Sequence, residues 1–74
     1  MIHEKATDLA QRCTDLVRKG KSFVSIWNTV LKRHALVEGI PHEKLDHQRT
    51  LLCVPLITGE QLVFDGDIKE FMVE

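Results

Sequence analysis

The sequence predicts a small α+β domain in which two N-terminal helices pack against a C-terminal β-hairpin, followed by a short helix or strand. Apolar residues in the first half recur at helical spacing, whereas residues 50 to 65, TLLCVPLITGEQLVFD, have the pattern of two strands joined by a turn. A chain of 74 residues, 43% of them hydrophobic, has material for one core. We therefore treat residues 1 to 74 as a single small domain.

The first predicted helix spans residues 3 to 19. Its acidic residues come early and its basic residues late, as the helix dipole favours. Gly20 follows at the position where a left-handed residue ends many helices. The apolar stripe of this helix consists of Ala6, Leu9, Ala10, Cys13, Leu16 and Val17.

The second predicted helix begins at Ser22, a favoured N-cap residue, and continues through Val37 to the break at residues 39 to 41. The short link around Gly20 predicts that the two helices pack at a sharp angle or antiparallel. The polar stretch PHEKLDHQR, residues 41 to 49, predicts either a single helical turn anchored by Leu45 or an ordered loop.

The hairpin has a recognisable turn in ITGEQL, residues 57 to 62. A two-residue loop of Gly59 and Glu60 meets the glycine-first requirement of a type II′ turn and places Val54 opposite Asp65. Pro55 has no N–H, which predicts a sheet edge or a bulge at that position. Alternation then puts Leu51, Cys53, Pro55, Ile57, Leu62 and Phe64 on one face, and Leu52, Val54, Leu56, Val63 and Asp65 on the other.

The last ten residues, DGDIKEFMVE, turn at residues 65 to 67 and then continue as a short helix or a third strand. Asp67 and Glu70 fit a capping box at the start of a helix. The alternation of Phe71 and Val73 fits a strand instead. Of the two patterns, the capping box favours the helix.

The second apolar face of the hairpin needs a cover, and this need leads to the main functional prediction. Burying each of its large apolar side chains is worth about 1.5–3 kcal/mol, which is considerable beside a net stability of about 5–15 kcal/mol. Three partners could cover this face: the C-terminal residues, a second copy of the chain, or another protein. We favour a homodimer because C2 dimers are the commonest oligomers. The predicted function is a small non-enzymatic protein-interaction module, whose interface consists of Leu52, Val54, Leu56 and Val63.

The charge distribution suggests an alternative function. Residues 12 to 33 contain six basic residues and one acid, whereas residues 34 to 74 contain three basic residues and eight acids. The basic half fits a nucleic-acid-binding or regulatory protein with a helix-turn-helix-like segment, or it attracts the acidic half of another copy. A net charge of −1 argues against affinity dominated by phosphate contacts. The candidate nucleic-acid contacts are Lys19, Lys21, Lys32 and Arg33.

The sequence contains no convincing catalytic, cofactor or metal signature. Structural zinc requires four ligands, and His42 with His47 supplies only half of such a set. Two cysteines, Cys13 and Cys53, are too few for a disulfide framework and are interpreted as free thiols in a reducing compartment. A nucleophilic cysteine needs a lowered pKa and a nearby base, whereas Cys53 lies mid-strand on the predicted core face. We therefore expect no enzyme activity, no cofactor and no bound metal.

The sequence also indicates where in the cell the protein is expected. The N-terminal stretch, MIHEKATDLAQRC, has no apolar run of the kind that a signal peptide contains. The longest apolar run, residues 51 to 57, is far shorter than the roughly 20 residues of a membrane span. We expect a cytoplasmic protein without a membrane partner.

Overall fold

The computed structural model describes residues 4 to 74 and shows an α+β fold. Four strands form one antiparallel sheet in the order β1-β2-β3-β4, with both helices of this part of the chain on one face. No helix among these residues is both long and apolar enough to span a membrane. The elements are α1 (Ala6–Arg18), α2 (Phe23–Thr29), a 3-10 turn (Leu31–Arg33), β1 (His42–Asp46), β2 (Arg49–Pro55), β3 (Gln61–Asp65) and β4 (Glu70–Val73).

Helix α1 confirms the first predicted helix but begins later than predicted, because Lys5 is the N-cap and Ala6 the first helical residue. Residue 3, the predicted start, lies outside the described residues. The helix ends in a Schellman motif, in which Gly20 N–H donates to the Val17 carbonyl (2.9 Å) and Lys21 N–H donates to the Leu16 carbonyl (3.0 Å). Gly20 has a φ of 91°, a left-handed conformation that glycine adopts at little cost. This turn directs the chain into α2.

Helix α2 begins as predicted but is much shorter, so the predicted helix through Val37 is wrong. Ser22 is the N-cap, and its Oγ accepts a hydrogen bond from Ser25 N–H (3.2 Å). Residues 24 to 30, VSIWNTV, contain no strong helix former. The chain leaves the helix after Thr29 and becomes extended at His34, which allows Leu36 to join the core.

The polar stretch of residues 41 to 49 forms strand β1 and a tight turn, so the predicted helical turn or loop is wrong. His47 and Gln48 both have positive φ values, 47° and 69°, and form a two-residue turn of the I′ kind that matches strand twist. Four of the five residues of β1 are exposed. The strand has a polar sequence because it lies at the sheet edge, where neither of its faces is well covered.

Strands β2 and β3 confirm the predicted hairpin, but its predicted register is wrong. Val54 lies opposite Leu62 instead of Asp65. The loop consists of residues 57 to 59, closed by a hydrogen bond from Gly59 N–H to the Leu56 carbonyl (3.0 Å), and Gly59 has a φ of 89°. Gly59 is therefore the last residue of a three-residue loop, not the first of two. The register shifts by three residues, and an odd shift exchanges the two faces of a strand.

Pro55 lies at the end of β2, beside the point where pairing with β1 stops. The last pair of that ladder is His42 with Cys53, and a single bridge between Val37 and Leu56 follows beyond Pro55. The missing N–H of Pro55 thus coincides with an interruption of the neighbouring strand, as expected for proline in a sheet.

The C-terminal residues form strand β4, so of the two predicted alternatives the strand is correct and the favoured helix is wrong. Asp67 does not cap a helix: its N–H donates to Oδ1 of Asp65 (2.9 Å) in a local turn. Phe71 lies opposite Phe64 and Met72 opposite Val63. Pairing with β3 stabilises this segment more than four or five isolated helical residues would.

The pairing defines two faces of the sheet. The helix face carries the main core, in which Leu9 of α1, Ile26 of α2 and Leu31 are fully buried. The sheet contributes Leu52, Val54, Leu56, Leu62, Phe64 and Phe71 to this face. The outer face carries Leu51, Cys53, Val63, Asp65 and Met72.

Helix α1 closes the outer edge of β4. Hydrogen-bonded and non-hydrogen-bonded pairs alternate along β3 and β4, and Phe71 belongs to a non-hydrogen-bonded pair, so its N–H points away from β3. This N–H donates to Thr14 Oγ1 (3.1 Å). Thr14 in turn donates to the Ala10 carbonyl (2.8 Å) and is 5% exposed. A side chain of α1 therefore satisfies an edge donor that would otherwise be available to another strand.

We expect Gln48→Gly to stabilise the protein by about 0.5–1 kcal/mol, because glycine removes most of the cost of a left-handed residue in the turn. Urea unfolding followed by circular dichroism measures the change. The matched control, Gly59→Ala, should destabilise by about 1 kcal/mol through backbone conformation alone, since no atom lies within 4 Å of the added methyl. A loss of stability in Gln48→Gly would contradict the turn geometry.

We expect Thr14→Val to destabilise the protein by about 1–3 kcal/mol, because it leaves the Phe71 N–H buried without an acceptor. Thr29→Val is the control: its hydroxyl makes the same kind of helical hydrogen bond, to the Ser25 carbonyl (2.7 Å), but is exposed and accepts nothing from the sheet. Thr29→Val should change the unfolding free energy by about 0.5 kcal/mol or less. If the two variants changed the unfolding free energy equally, the hydrogen bond between Thr14 and Phe71 of β4 would contribute nothing to stability.

Candidate functional site at the open edge of the sheet

The predicted interface residues Leu52, Val54, Leu56 and Val63 do not share a face. The first three lie on the helix face, and Val63 lies on the outer face. Val54, Leu56 and Val63 are 0%, 1% and 0% exposed in the single chain. The predicted grouping depended on the wrong register, and the structure places these side chains inside the molecule.

The chain shields the outer face with its own side chains. Leu51, Cys53 and Val63 form a small buried cluster there. Lys44 of β1 and Glu74, beyond β4, approach each other to 3.7 Å from opposite edges of the sheet. Long charged side chains thus cover the cluster with their aliphatic parts while their charges stay in water.

A buried carboxylate on the outer face is also satisfied within the chain. Asp65 is 0% exposed, and its Oδ2 accepts a hydrogen bond from Arg49 Nη1 at 2.8 Å. Its Oδ1 accepts the N–H of Asp67 at 2.9 Å. Both carboxylate oxygens of Asp65 therefore have hydrogen-bond donors within the chain, as buried polar groups usually do.

Neither cysteine is placed as a reactive thiol. Burial raises the pKa of Cys13 to about 12, with Arg12 acting weakly in the opposite direction. Burial also raises the pKa of Cys53, against a smaller lowering by Lys44. Cys13 belongs to the main core, whereas Cys53 belongs to the small cluster on the outer face, so the predicted placement of Cys53 on the core face beneath the helices is wrong. A thiol with a raised pKa is a poor nucleophile near neutral pH.

His34 is engaged in a structural contact between the start of α1 and the segment after α2. Its Nδ1 accepts the Leu36 N–H (3.3 Å). Its Nε2 lies 3.4 Å from Oε2 of Glu4, and these two buried atoms have no hydrogen-bond partner among the described residues. The other oxygen of Glu4 binds Arg12 at 2.7 Å. Among residues 4 to 74, no group of three or more His, Cys, Asp or Glu side chains is arranged to hold a metal ion.

The candidate nucleic-acid contacts Lys19, Lys21, Lys32 and Arg33 are all exposed. None of them forms an ion pair with any residue in the described part of the chain. The first two flank the turn before α2, and the other two lie in the 3-10 turn after it. The seven residues of α2, about 10 Å long, separate the pairs, so they do not lie along one recognition helix.

The outer edge of β1 is open, in contrast to that of β4. Asp46 and Arg49 close the two-residue turn and pair with each other, so alternate residues of β1 face β2. Glu43 and Leu45 therefore direct their N–H and C=O groups away from the sheet, on the side where residues 4 to 74 provide no further strand. Unpaired groups of this kind can bind another strand.

Two exposed apolar side chains lie at this edge. Ile40, just before β1, is 81% exposed, and Leu45, within it, is 75% exposed. These are the largest exposed fractions among the large hydrophobic residues of the described chain. We call these two side chains, with the outward backbone groups of Glu43 and Leu45, the β1 edge. Sequence reasoning missed it because so polar a stretch was read as a turn or a loop; charges on both faces of a short segment were the available signal.

We expect both native thiols to react slowly with a maleimide at pH 8, and quickly once urea unfolds the chain, because burial keeps them protonated. The unfolding free energy should also fall as the pH rises from about 9 to about 12. In that range the unfolded thiol of Cys13 ionises while the native thiol keeps its proton. In Cys13→Ala, the part of this fall in the unfolding free energy that comes from Cys13 should be absent. Labelling as fast in the native state as in urea would contradict the burial.

Comparison of the chain with known protein families, with curated proteins and with solved structures finds no match, so the argument for function rests on the geometry of residues 4 to 74.

Proposed function

We propose that this protein is a small, non-enzymatic interaction module that binds a protein partner by strand addition at the β1 edge. The observation that carries the proposal is the difference between the two sheet edges. Thr14 of α1 satisfies the outward donor of β4 at Phe71, whereas the outward groups of Glu43 and Leu45 face solvent beside exposed apolar side chains.

The energetics of such a site follow from its composition. Edge N–H and C=O groups exchange water for a new partner, so each hydrogen bond contributes only about 0.5–1.5 kcal/mol net. Covering Leu45 and Ile40 adds the hydrophobic term, at about 25 cal/mol for each Å² of apolar surface removed from water. The backbone therefore sets the orientation of the bound strand, and the two apolar side chains favour partners with apolar residues at alternate positions.

Several features favour a binding role over catalysis. Both thiols have raised pKa values, both carboxylate oxygens of Asp65 accept hydrogen bonds, and Nδ1 of His34 accepts the Leu36 N–H. The exposed charges of β1 suit a regulated edge, because they discourage indiscriminate strand pairing while permitting a complementary partner.

Nucleic-acid binding is a second candidate, supported by one observation. Lys19, Lys21, Lys32 and Arg33 are exposed and form no ion pair with residues 4 to 74. Lys21 also borders a groove of about 360 Å³ that includes Phe23 and Phe64, an aromatic surface of the kind that bases contact. The overall charge of −1 makes this the weaker of the two proposals.

The test is to select extended peptides from a displayed library on the immobilised protein and to map the selected peptides by NMR. We expect shifts concentrated in β1, with slower hydrogen exchange of the Glu43 and Leu45 amides. Leu45→Pro should abolish binding without unfolding the chain, because the lost N–H points outward. Recording the same spectra with a single-stranded oligonucleotide tests the second candidate.

Val24→Ser is the matched control, since it removes an exposed apolar side chain (65% exposed) from α2, away from the β1 edge. It should leave peptide affinity unchanged. Peptides that shift residues outside β1 would overturn the proposal, as would binding that survives Leu45→Pro.

A further inference from the structure

We infer that the strand that binds the β1 edge is β1 of a second copy of this chain, paired antiparallel with Leu45 on the two-fold axis. This inference rests on the proposed function and names its partner. The order of side chains along the strand favours this pairing: Glu43, Lys44, Leu45 and Asp46 occupy successive positions of β1.

The order of charges in β1 is complementary to itself when the strand is reversed about Leu45. Lys44 then lies opposite the partner's Asp46 on both sides of the axis, and Glu43 lies beside the partner's turn, where His47 has left the strand with a φ of 47°. Leu45, 75% exposed in the single chain, lies opposite the partner's Leu45 and is covered. Opposite charges and apolar pairs are the favourable cross-strand neighbours in an antiparallel sheet.

The backbone restricts the registers that are available. A hydrogen bond between the two copies needs a backbone N–H or C=O that points out of the sheet on each strand. Glu43 and Leu45 of one copy can therefore pair only with residues of the second copy whose backbone groups also point outward. Centring the axis on Lys44 puts two lysines opposite each other, and centring it on Glu43 or Asp46 puts two carboxylates together. Centring it on His42 puts two histidines opposite each other and leaves Leu45 opposite Gly39 of the second copy, outside β1. Of these registers, the axis at Leu45 is the one that joins Lys44 to Asp46 and covers each Leu45 with the other.

The charged groups at this edge are free to make the new contacts. Lys44 lies 3.7 Å from Glu74, with the two side chains 52% and 58% exposed. Asp46 lies 3.5 Å from His47, whose side chain is 91% exposed. Loose exposed pairs of this kind contribute little, so exchanging them for a partner's charge costs little. The dimer has one isologous contact, which joins the two four-stranded sheets into a single sheet of eight strands.

The experiment is sedimentation equilibrium of the full chain from about 10 µM to about 1 mM, the range of weak complexes. We expect the wild type to dimerise. Lys44→Asp and Asp46→Lys should each weaken dimerisation by about tenfold to a hundredfold, because each creates two like-charge pairs across the axis. A 1:1 mixture of the two variants should restore dimers, because one pair then joins the two substituted residues, Asp at 44 and Lys at 46, and the other joins the native Asp46 of one chain to the native Lys44 of the other. The double variant, with both charges exchanged, should also dimerise.

The restoration on mixing separates pairing from damage to the fold, because a chain weakened by misfolding is not rescued by another weakened chain. Glu74→Gln is the control for the Lys44 contact within one chain and should leave dimerisation unchanged. Circular dichroism establishes that each variant is folded.

Three outcomes would overturn the inference: a wild type that stays monomeric at about 1 mM, a dimer that survives Leu45→Pro, or variants that fail to recover when mixed. The proposed function has a separate readout. A monomeric wild type whose β1 amides still shift with selected peptides would refute the self-pairing alone, whereas peptides that shift residues elsewhere would refute both.

Discussion

The register of β2 against β3 decides which side chains this protein buries. Gly59 sets that register, because its left-handed conformation, with a φ of 89°, closes a three-residue loop below Leu56. Val54 and Leu62 are consequently opposite each other on the helix face, and both are fully buried. A loop shorter by one residue would send alternate apolar side chains to the other face, away from the two helices.

The helices are too small to cover the whole sheet, and their placement distinguishes its two edges. Helix α1 runs beside β4, where Thr14 binds the Phe71 N–H, and α2 supplies Ile26 and Phe23 to the core. Phe23, Phe64 and Phe71 form a cluster with ring centroids 4.9 to 6.2 Å apart, which joins α2 to β3 and β4. Strand β1 extends beyond this cover. The open edge is thus a consequence of where the core ends.

The outer face shows how a small chain handles apolar surface without a second layer. Leu51, Cys53 and Val63 are buried there, and Lys44 and Arg49 form ion pairs on the same face with Glu74 and Asp65. Met72 is 39% exposed on this face, whereas Leu45 and Ile40 of the β1 edge are 75% and 81% exposed. This difference is why the proposed interaction surface is a strand edge and not a sheet face.

The sequence by itself determined the α+β class, the presence of α1 and its glycine cap, the N-cap of α2 and the presence of a hairpin. These features depend on local interactions: apolar spacing, capping side chains and the conformational freedom of Gly20. The tertiary structure alone decided the end of α2, the strand state of residues 42 to 46 and 70 to 73, the hairpin register and hence the candidate site. Each of these depends on pairing with residues distant in the chain. A polar segment such as HEKLD becomes a strand only because β2 offers it an unpaired edge, and its own residues do not encode that neighbour.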